Sequence, residues 1–169
     1  MKLFIELALL CASVAWCNVA FAVMTCQVPS GVAMNFGTYD DSLAADRQFS
    51  TTFTVQCCRT GGAASLPYTV SMGPSTQSTA GNKISTRMMK NSANSDRMNY
   101  QLYYGSFGGT LWGDGTTGST YTLNVTANTR CAVGWQTFTV GSAIFGVIPM
   151  QQAVSAGTYA DTVTISITP

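Results

Sequence analysis

The sequence predicts an all-β protein, built as a single-domain antiparallel β-sandwich. Apolar and polar residues alternate with period two along most of the 169-residue chain, which is the pattern of strands with one buried face. Short runs rich in Gly, Ser, Asn, Asp and Pro separate these segments, and no segment favours a helix longer than about two turns. About seven to nine short strands without helices are typical of a sandwich.

The chain begins with a predicted secretory signal peptide, residues 1–22. Met1-Lys2 is followed by a mostly apolar run from Leu3 to Ala15, and Ala20-Phe21-Ala22 has the small-x-small form of a cleavage site. A second site, Ser13-Val14-Ala15, would cut earlier. The predicted domain is residues 23–169.

Cysteine counts favour the later cleavage site. Cutting after Ala22 leaves the even set Cys26, Cys57, Cys58 and Cys131, whereas cutting after Ala15 keeps Cys17 as a fifth cysteine. No other apolar stretch reaches the roughly 18 residues of a membrane span. The mature protein is therefore expected to be secreted and soluble.

The charged residues argue against several classes of function. Beyond the predicted leader the chain has six Asp, no Glu and seven Lys plus Arg, and the whole chain has no His. Scattered basic residues give no footprint for nucleic acid, and the lack of His removes His-based catalysis and His-ligated metal sites. We therefore expect no enzyme activity, no cofactor, no metal and no nucleic-acid partner.

Eight segments carry the strand pattern. They are Cys26 to Tyr39, Gln48 to Cys57, Pro67 to Met72, Thr86 to Lys90, Met98 to Tyr104, Tyr121 to Val125, Phe138 to Ile148 and Asp161 to Thr168.

The last of these segments has an unusual edge. Val163, Ile165 and Ile167 alternate with Thr and Ser, no charge follows Asp161, and Pro169 is the only residue that discourages pairing. Long uncharged edges invite pairing with another chain. Either this strand is internal to a finished sheet, or the protein accepts a strand from a partner.

Short motifs occur in a fixed order from Cys26 to Thr168. They include Phe36-Gly37-Thr38-Tyr39-Asp40, Phe53-Thr54-Val55-Gln56-Cys57, Arg87-Met88-Met89, Trp112-Gly113-Asp114-Gly115, Phe145-Gly146-Val147-Ile148-Pro149 and Ala156-Gly157-Thr158-Tyr159-Ala160-Asp161-Thr162-Val163. This series resembles the spore coat protein U domain family, the pilin-type subunits of archaic chaperone-usher fibres. The W-G-D-G turn and the A-G-T-Y-x-D-T-V ending are its most distinctive parts.

The resemblance implies an incomplete immunoglobulin-like sandwich that lacks its last strand. A periplasmic chaperone would lend a strand, and an outer-membrane usher would exchange it for the extension of a neighbouring fibre subunit. The protein would then be a structural subunit of a surface fibre or coat that serves attachment and biofilm formation. The donor-strand groove would be lined by Val28, Val32, Met34, Phe36, Val163, Ile165 and Ile167.

The resemblance also bears on the cysteines. It implies a disulfide between Cys26 and Cys57, which would leave Cys58 to pair with Cys131 in a bridge that the family pattern does not include. Adjacent Cys57 and Cys58 lack the C-x-x-C spacing of a redox or zinc site.

The predicted N-terminus departs from the family pattern. The resemblance implies that donating members carry an extension of about a dozen or more residues before the first cysteine, a segment long enough for strand addition. Cleavage after Ala22 leaves only Val23 to Thr25. Such a subunit would accept a strand without donating one and would be terminal or accessory. Cleavage after Ala15 would restore ten residues, with Val19, Phe21 and Val23 on one face.

Other motifs have simpler interpretations. Gly113 to Gly118 satisfies G-x-G-x-x-G, but a dinucleotide site needs a following helix, and Ser119 to Val125 is strand-like. We interpret this segment as a hairpin turn.

An alternative function is a self-contained sandwich that binds carbohydrate or another surface. Exposed Tyr103, Phe107 or Trp135 would supply its contact surface. This alternative requires a pairing partner for Val163 to Ile167 within the chain.

Overall fold

The computed structural model describes residues 23–169 apart from residues 30, 43 and 63. The predicted signal peptide lies outside the described residues. Within them, twelve strands are found and no helix. The strands are β1 (Val23–Gln27), β2 (Arg47–Thr51), β3 (Thr54–Thr60), β4 (Ala64–Ser75), β5 (Arg87–Asn91), β6 (Arg97–Tyr104), β7 (Thr110–Leu111), β8 (Tyr121–Ala127), β9 (Gln136–Thr139), β10 (Ile144–Ile148), β11 (Tyr159–Ala160) and β12 (Val163–Thr168).

The strands form three antiparallel sheets around one core. Their orders are β1-β3-β9, β11-β5-β6-β10-β2 with β7 on β6, and β12-β4-β8. Residues from all three sheets belong to one buried apolar cluster. The all-β antiparallel prediction is confirmed. Among the residues that the structure describes, no helix has the length and apolar character of a membrane span.

Two predicted strands are wrong because each is two strands in different sheets. Gln48 to Cys57 divides into β2 and β3, and Phe138 to Ile148 divides into β9 and β10. The breaks are neighbours, since β3 pairs with β9 and β2 pairs with β10. Between them, the Val140 N–H donates to the Phe53 carbonyl at 3.0 Å, with both side chains buried. A pair of strands therefore bends from one sheet into another, a device of sandwich corners.

The predicted first strand is also shorter than expected. Only its start lies within β1, which begins at Val23 and ends at Gln27, and the described residues from 28 to 40 have no strand pairing. Their burial nevertheless alternates, with Val28, Val32, Met34 and Phe36 half-buried. The segment is extended and lies against the core without joining a sheet, so its backbone leaves room for a groove beside it.

Candidate functional site

A groove runs along the core between the unpaired segment 31–37 and strand β12. Its narrow half is a cavity of about 310 Å³. This half is lined by Val32, Ala33, Met34, Phe36, Met72, Met89, Tyr100, Leu102, Ile144, Tyr159, Ala160, Asp161, Val163 and Ile165. Segment 31–37 and β12 are therefore two walls of one apolar space, whose floor comes from β4, β5, β6 and β10.

The first wall is held against the floor by two specific devices. The Arg47 Nε–H donates to the Phe36 carbonyl at 2.8 Å, and Gly146 in β10 has no side chain to hold the wall away. A Cβ at Gly146 would lie 2.3 Å from the Met34 sulfur and 2.4 Å from the Phe36 ring. The wall therefore rests directly on the backbone of β10, which places its apolar side chains in the groove.

The second wall, β12, is an edge strand. It pairs with β4 through the register Ile165 to Met72 and Ile167 to Val70. Val163, Ile165 and Ile167 are half-buried and alternate with exposed Thr and Ser. Within the described part of the chain, β12 has no strand on its other side. Its free N–H and C=O groups therefore border an apolar groove, and both features favour pairing with a further strand.

A polar cluster fixes the start of β12 to the floor. One oxygen of Asp161 accepts from the Thr76 hydroxyl at 2.7 Å and from the Thr76 and Gln77 N–H groups at 3.0 and 3.1 Å. The other oxygen accepts from the Tyr100 hydroxyl at 2.6 Å. Burial raises the pKa of Tyr100, and the hydrogen bond to Asp161 raises it further. The Tyr100 ring also meets Phe36 edge-on at 6.3 Å, so this cluster connects both walls.

The groove continues into a wider half of about 850 Å³. The two halves share Met34, Phe36, Met89 and Tyr159. Further lining comes from Met98 and Ile148 on the floor, from residues 35–41 and from residues 154–158. The two cavities therefore adjoin, and the narrow and wide halves are distinguished by their volumes.

Most of the residues predicted to line a donor-strand groove lie together here. Val32, Met34, Phe36, Val163 and Ile165 line the narrow half. Val28 and Ile167 pack against the core but do not line either half. Sequence reasoning missed the floor and the Asp161–Tyr100 contact, because alternation alone does not show which strands become neighbours. The Asp in the A-G-T-Y-x-D-T-V ending was the one available signal.

Two disulfides hold the strands next to the groove. Cys26 in β1 is bonded to its cross-strand partner Cys57 in β3. Cys58 points to the opposite face and is bonded to Cys131 in the loop between β8 and β9. The four cysteines thus tie β1 to β3 and β3 to the following loop.

The W-G-D-G turn begins in the core and ends at the surface, with Asp114 and Gly115 exposed. Trp112 is fully buried and its indole N–H donates to the Val70 carbonyl at 3.0 Å. Fully buried Arg87 donates to the carbonyls of Trp112 and Gly73 at 2.9 and 3.0 Å, and burial lowers its pKa. The Asp114 carboxylate accepts two backbone N–H bonds within the turn. Strand β8, not a helix, follows the G-x-G-x-x-G sequence, so the segment is a turn that the core holds in place.

The exposed aromatic residues lie away from the groove. Phe107 and Trp135 are 38% and 42% exposed, and neither lines either half. Phe107 meets Phe145 edge-on at 5.0 Å.

Comparison with known proteins identifies the family. A sequence model of the Spore Coat Protein U domain matches residues 11–166. This protein belongs to the Spore Coat Protein U domain family. The match overlaps the predicted signal peptide, whose cleavage site stays a prediction. The resemblance inferred from the sequence motifs is confirmed.

Two similar proteins support this assignment. Protein U of Myxococcus xanthus is 30% identical over 153 residues, covering 85% of this chain and 76% of that protein. A solved structure of the CsuC–CsuE chaperone–tip adhesion subunit pre-assembly complex, from archaic chaperone-usher Csu pili of Acinetobacter baumannii, aligns with a TM-score of 0.50. It is 22% identical, and the alignment covers 86% of this chain and 39% of that chain. The likeness in structure supports the fold.

Proposed function

We propose that this protein is a structural, non-enzymatic subunit of a secreted chaperone-usher surface fibre or coat, and that its groove receives a β-strand donated by a partner. The observation that carries the proposal is the free edge of β12 beside the apolar narrow half of the groove. The family assignment and the similar fold of a chaperone-usher pilus subunit support it. The partners are a periplasmic chaperone, an outer-membrane usher and neighbouring subunits, and the fibre serves attachment and biofilm formation.

The groove has the two properties that strand addition needs. The free backbone groups of β12 supply hydrogen bonds, and the apolar lining supplies sites for alternate side chains. Burying four or five such side chains, at ~1.5 to 3 kcal/mol each, contributes on the order of 10 kcal/mol before ordering costs. A donated strand would therefore dissociate slowly. With cleavage after Ala22, this subunit accepts a strand without donating one and is terminal or accessory in the fibre.

A pair of substitutions in β12 tests strand acceptance. Ile165→Lys places a charge on the groove wall, whereas Ser166→Lys places the same charge on the exposed face of the next position. We expect the unmodified protein to aggregate when expressed alone and to become soluble with its chaperone or a donor peptide. Ser166→Lys should retain this rescue and Ile165→Lys should lose it.

Two outcomes would contradict the proposal. One is a stable purified monomer with no affinity for chaperone or peptide, as the self-contained binding module would be. The other is equal rescue of both lysine variants. For the role in attachment, cells that lack the gene should lose surface fibres in electron micrographs and bind less to surfaces than complemented cells.

A further inference from the structure

The wide half of the groove combines three thioethers and three aromatic rings with polar residues of segments 35–41 and 154–158, among them Asp40 and Asp41. Three methionines, Met34, Met89 and Met98, lie along it. Met89 and Met98 are cross-strand partners in β5 and β6, and both are buried. With Met72 in the narrow half, four of the eight methionines of the chain line the groove. This concentration indicates a surface shaped for a particular side chain.

Three aromatic rings also line the wide half: Phe36, Tyr39 and Tyr159. The Tyr39 hydroxyl donates to the Pro149 carbonyl at 3.0 Å and accepts from the Gln152 N–H at 2.8 Å. The Tyr159 hydroxyl donates to the Ser155 carbonyl at 2.7 Å. Because loop 149–155 satisfies both hydroxyls, the rings offer apolar surface to the groove without an unpaired polar group.

Size separates the two halves. The wide half has about 850 Å³ and the narrow half about 310 Å³. An aromatic donor side chain would cover more of the Met89–Met98 surface than Val or Ile does, and apolar area removed from water stabilises a complex by roughly 25 cal/mol per Å². Thioethers favour aromatic rings as neighbours and adapt their shape to them. Aromatic pairs also gain from edge-to-face contact.

We propose that the wide half selects a donor strand that carries an aromatic side chain at the position facing Met89 and Met98. The inference rests on the proposed function, because it specifies the strand that the same groove accepts. The partner is therefore an extended segment with alternate apolar residues, aliphatic in the narrow half and aromatic in the wide half.

The test is a competition between two peptides during refolding of the mature protein, residues 23–169, which lacks most of the peptide sequence. The first has the sequence of residues 16–25 with Cys17→Ser, so that its apolar face is Val19, Phe21 and Val23. The second differs only by Phe21→Val. A shift by two residues keeps the same face inward, so either peptide reaches its best position. Mass spectrometry of the soluble complexes measures the ratio, and we expect the Phe peptide to be preferred by about tenfold or more.

Variants of the protein locate the preference. Val154→Phe places a larger side chain in the lining of the wide half, next to the space for the donor's aromatic ring, and should reduce the preference to about onefold. Val133→Phe, at a position 82% exposed outside the groove, should leave it unchanged. Met89→Leu with Met98→Leu conserves volume but removes both sulfur atoms, and should lower the preference by roughly threefold.

The outcomes distinguish this inference from the proposed function. If both peptides rescue the protein equally, or the Val peptide wins, the aromatic preference is wrong while strand acceptance stands. The same holds if Val133→Phe abolishes the preference as fully as Val154→Phe does. If neither peptide yields soluble protein on refolding, the proposal of strand acceptance in this groove is wrong, and the inference is wrong with it.

Discussion

Replacing Tyr100 by Phe tests whether the Asp161–Tyr100 contact holds the two walls of the groove together. The substitution removes one hydroxyl and keeps the ring that meets Phe36. The lost bond is 2.6 Å long, largely buried and made to a carboxylate. Hydrogen bonds to charged groups contribute about 1.5 to 3 kcal/mol. We expect the free energy of unfolding to fall by that amount.

Tyr103→Phe is the matched control. Tyr103 lies on the same strand and is half-buried. Within the described part of the chain, the Tyr103 hydroxyl forms no hydrogen bond with another protein group. Its loss should therefore change the free energy of unfolding by no more than about 0.5 kcal/mol.

The assay is chemical unfolding of the protein complexed with donor peptide. Tryptophan fluorescence reports it, because Trp112 is fully buried in the core. Equal midpoints for the Tyr100 and Tyr103 variants would refute the role assigned to Asp161 and Tyr100. A smaller slope in the Tyr100 variant would instead indicate a changed native or unfolded state.

The same substitution has a signature at high pH. The pKa of Tyr100 in the folded state is raised above the ordinary value of 10.0, so the folded protein holds this proton more tightly than the unfolded chain does. Stability from this group is complete below about pH 10 and decreases as the pH rises further. The alkaline loss of stability should therefore be smaller in Tyr100→Phe than in Tyr103→Phe. Identical pH profiles would contradict the assigned environment.

Two further predictions concern the support of the groove. Gly146→Ala puts a Cβ 2.3 Å from the Met34 sulfur, so it should destabilise the protein by about 1 to 3 kcal/mol and weaken peptide binding. The control, Gly31→Ala, has open space around it and should do neither. Equal effects of the two substitutions would show that the first wall does not rest on β10. Replacing Cys58 and Cys131 by Ser opens a loop of sequence separation 73 and should cost roughly 4 kcal/mol of stability. An unchanged unfolding midpoint under non-reducing conditions would show that this bridge does not stabilise the fold.

Sequence alternation predicted the strand content and the walls of the groove for a physical reason. Side chains of a strand alternate between faces whatever the strand pairs with. Val163 and Ile165 in β12, and Val32 and Met34 opposite them, could therefore be assigned to buried faces from the sequence. The same rule holds for segment 31–37, which alternates correctly although it joins no sheet.

Alternation also explains the errors. Phe49, Phe53 and Val55 keep one period through the bend that separates β2 from β3, so nothing local marks the break. The bend exists because β2 and β3 follow β10 and β9 into different sheets, which is decided by distant pairing. Local sequence determines which face of a strand is apolar, while tertiary pairing determines which sheet the strand joins.

The floor of the groove could not be predicted from the sequence for the same reason, and this affects the functional interpretation. Met89 and Met98 each follow the inward pattern of an ordinary core strand, and neither is unusual in its own segment. They form one surface only because β5 pairs with β6 in the register that places them opposite each other. A shift of that register by one residue would turn one of the two away from the groove. The preference for an aromatic donor is therefore a property of strand pairing, which the sequence of either strand alone does not contain.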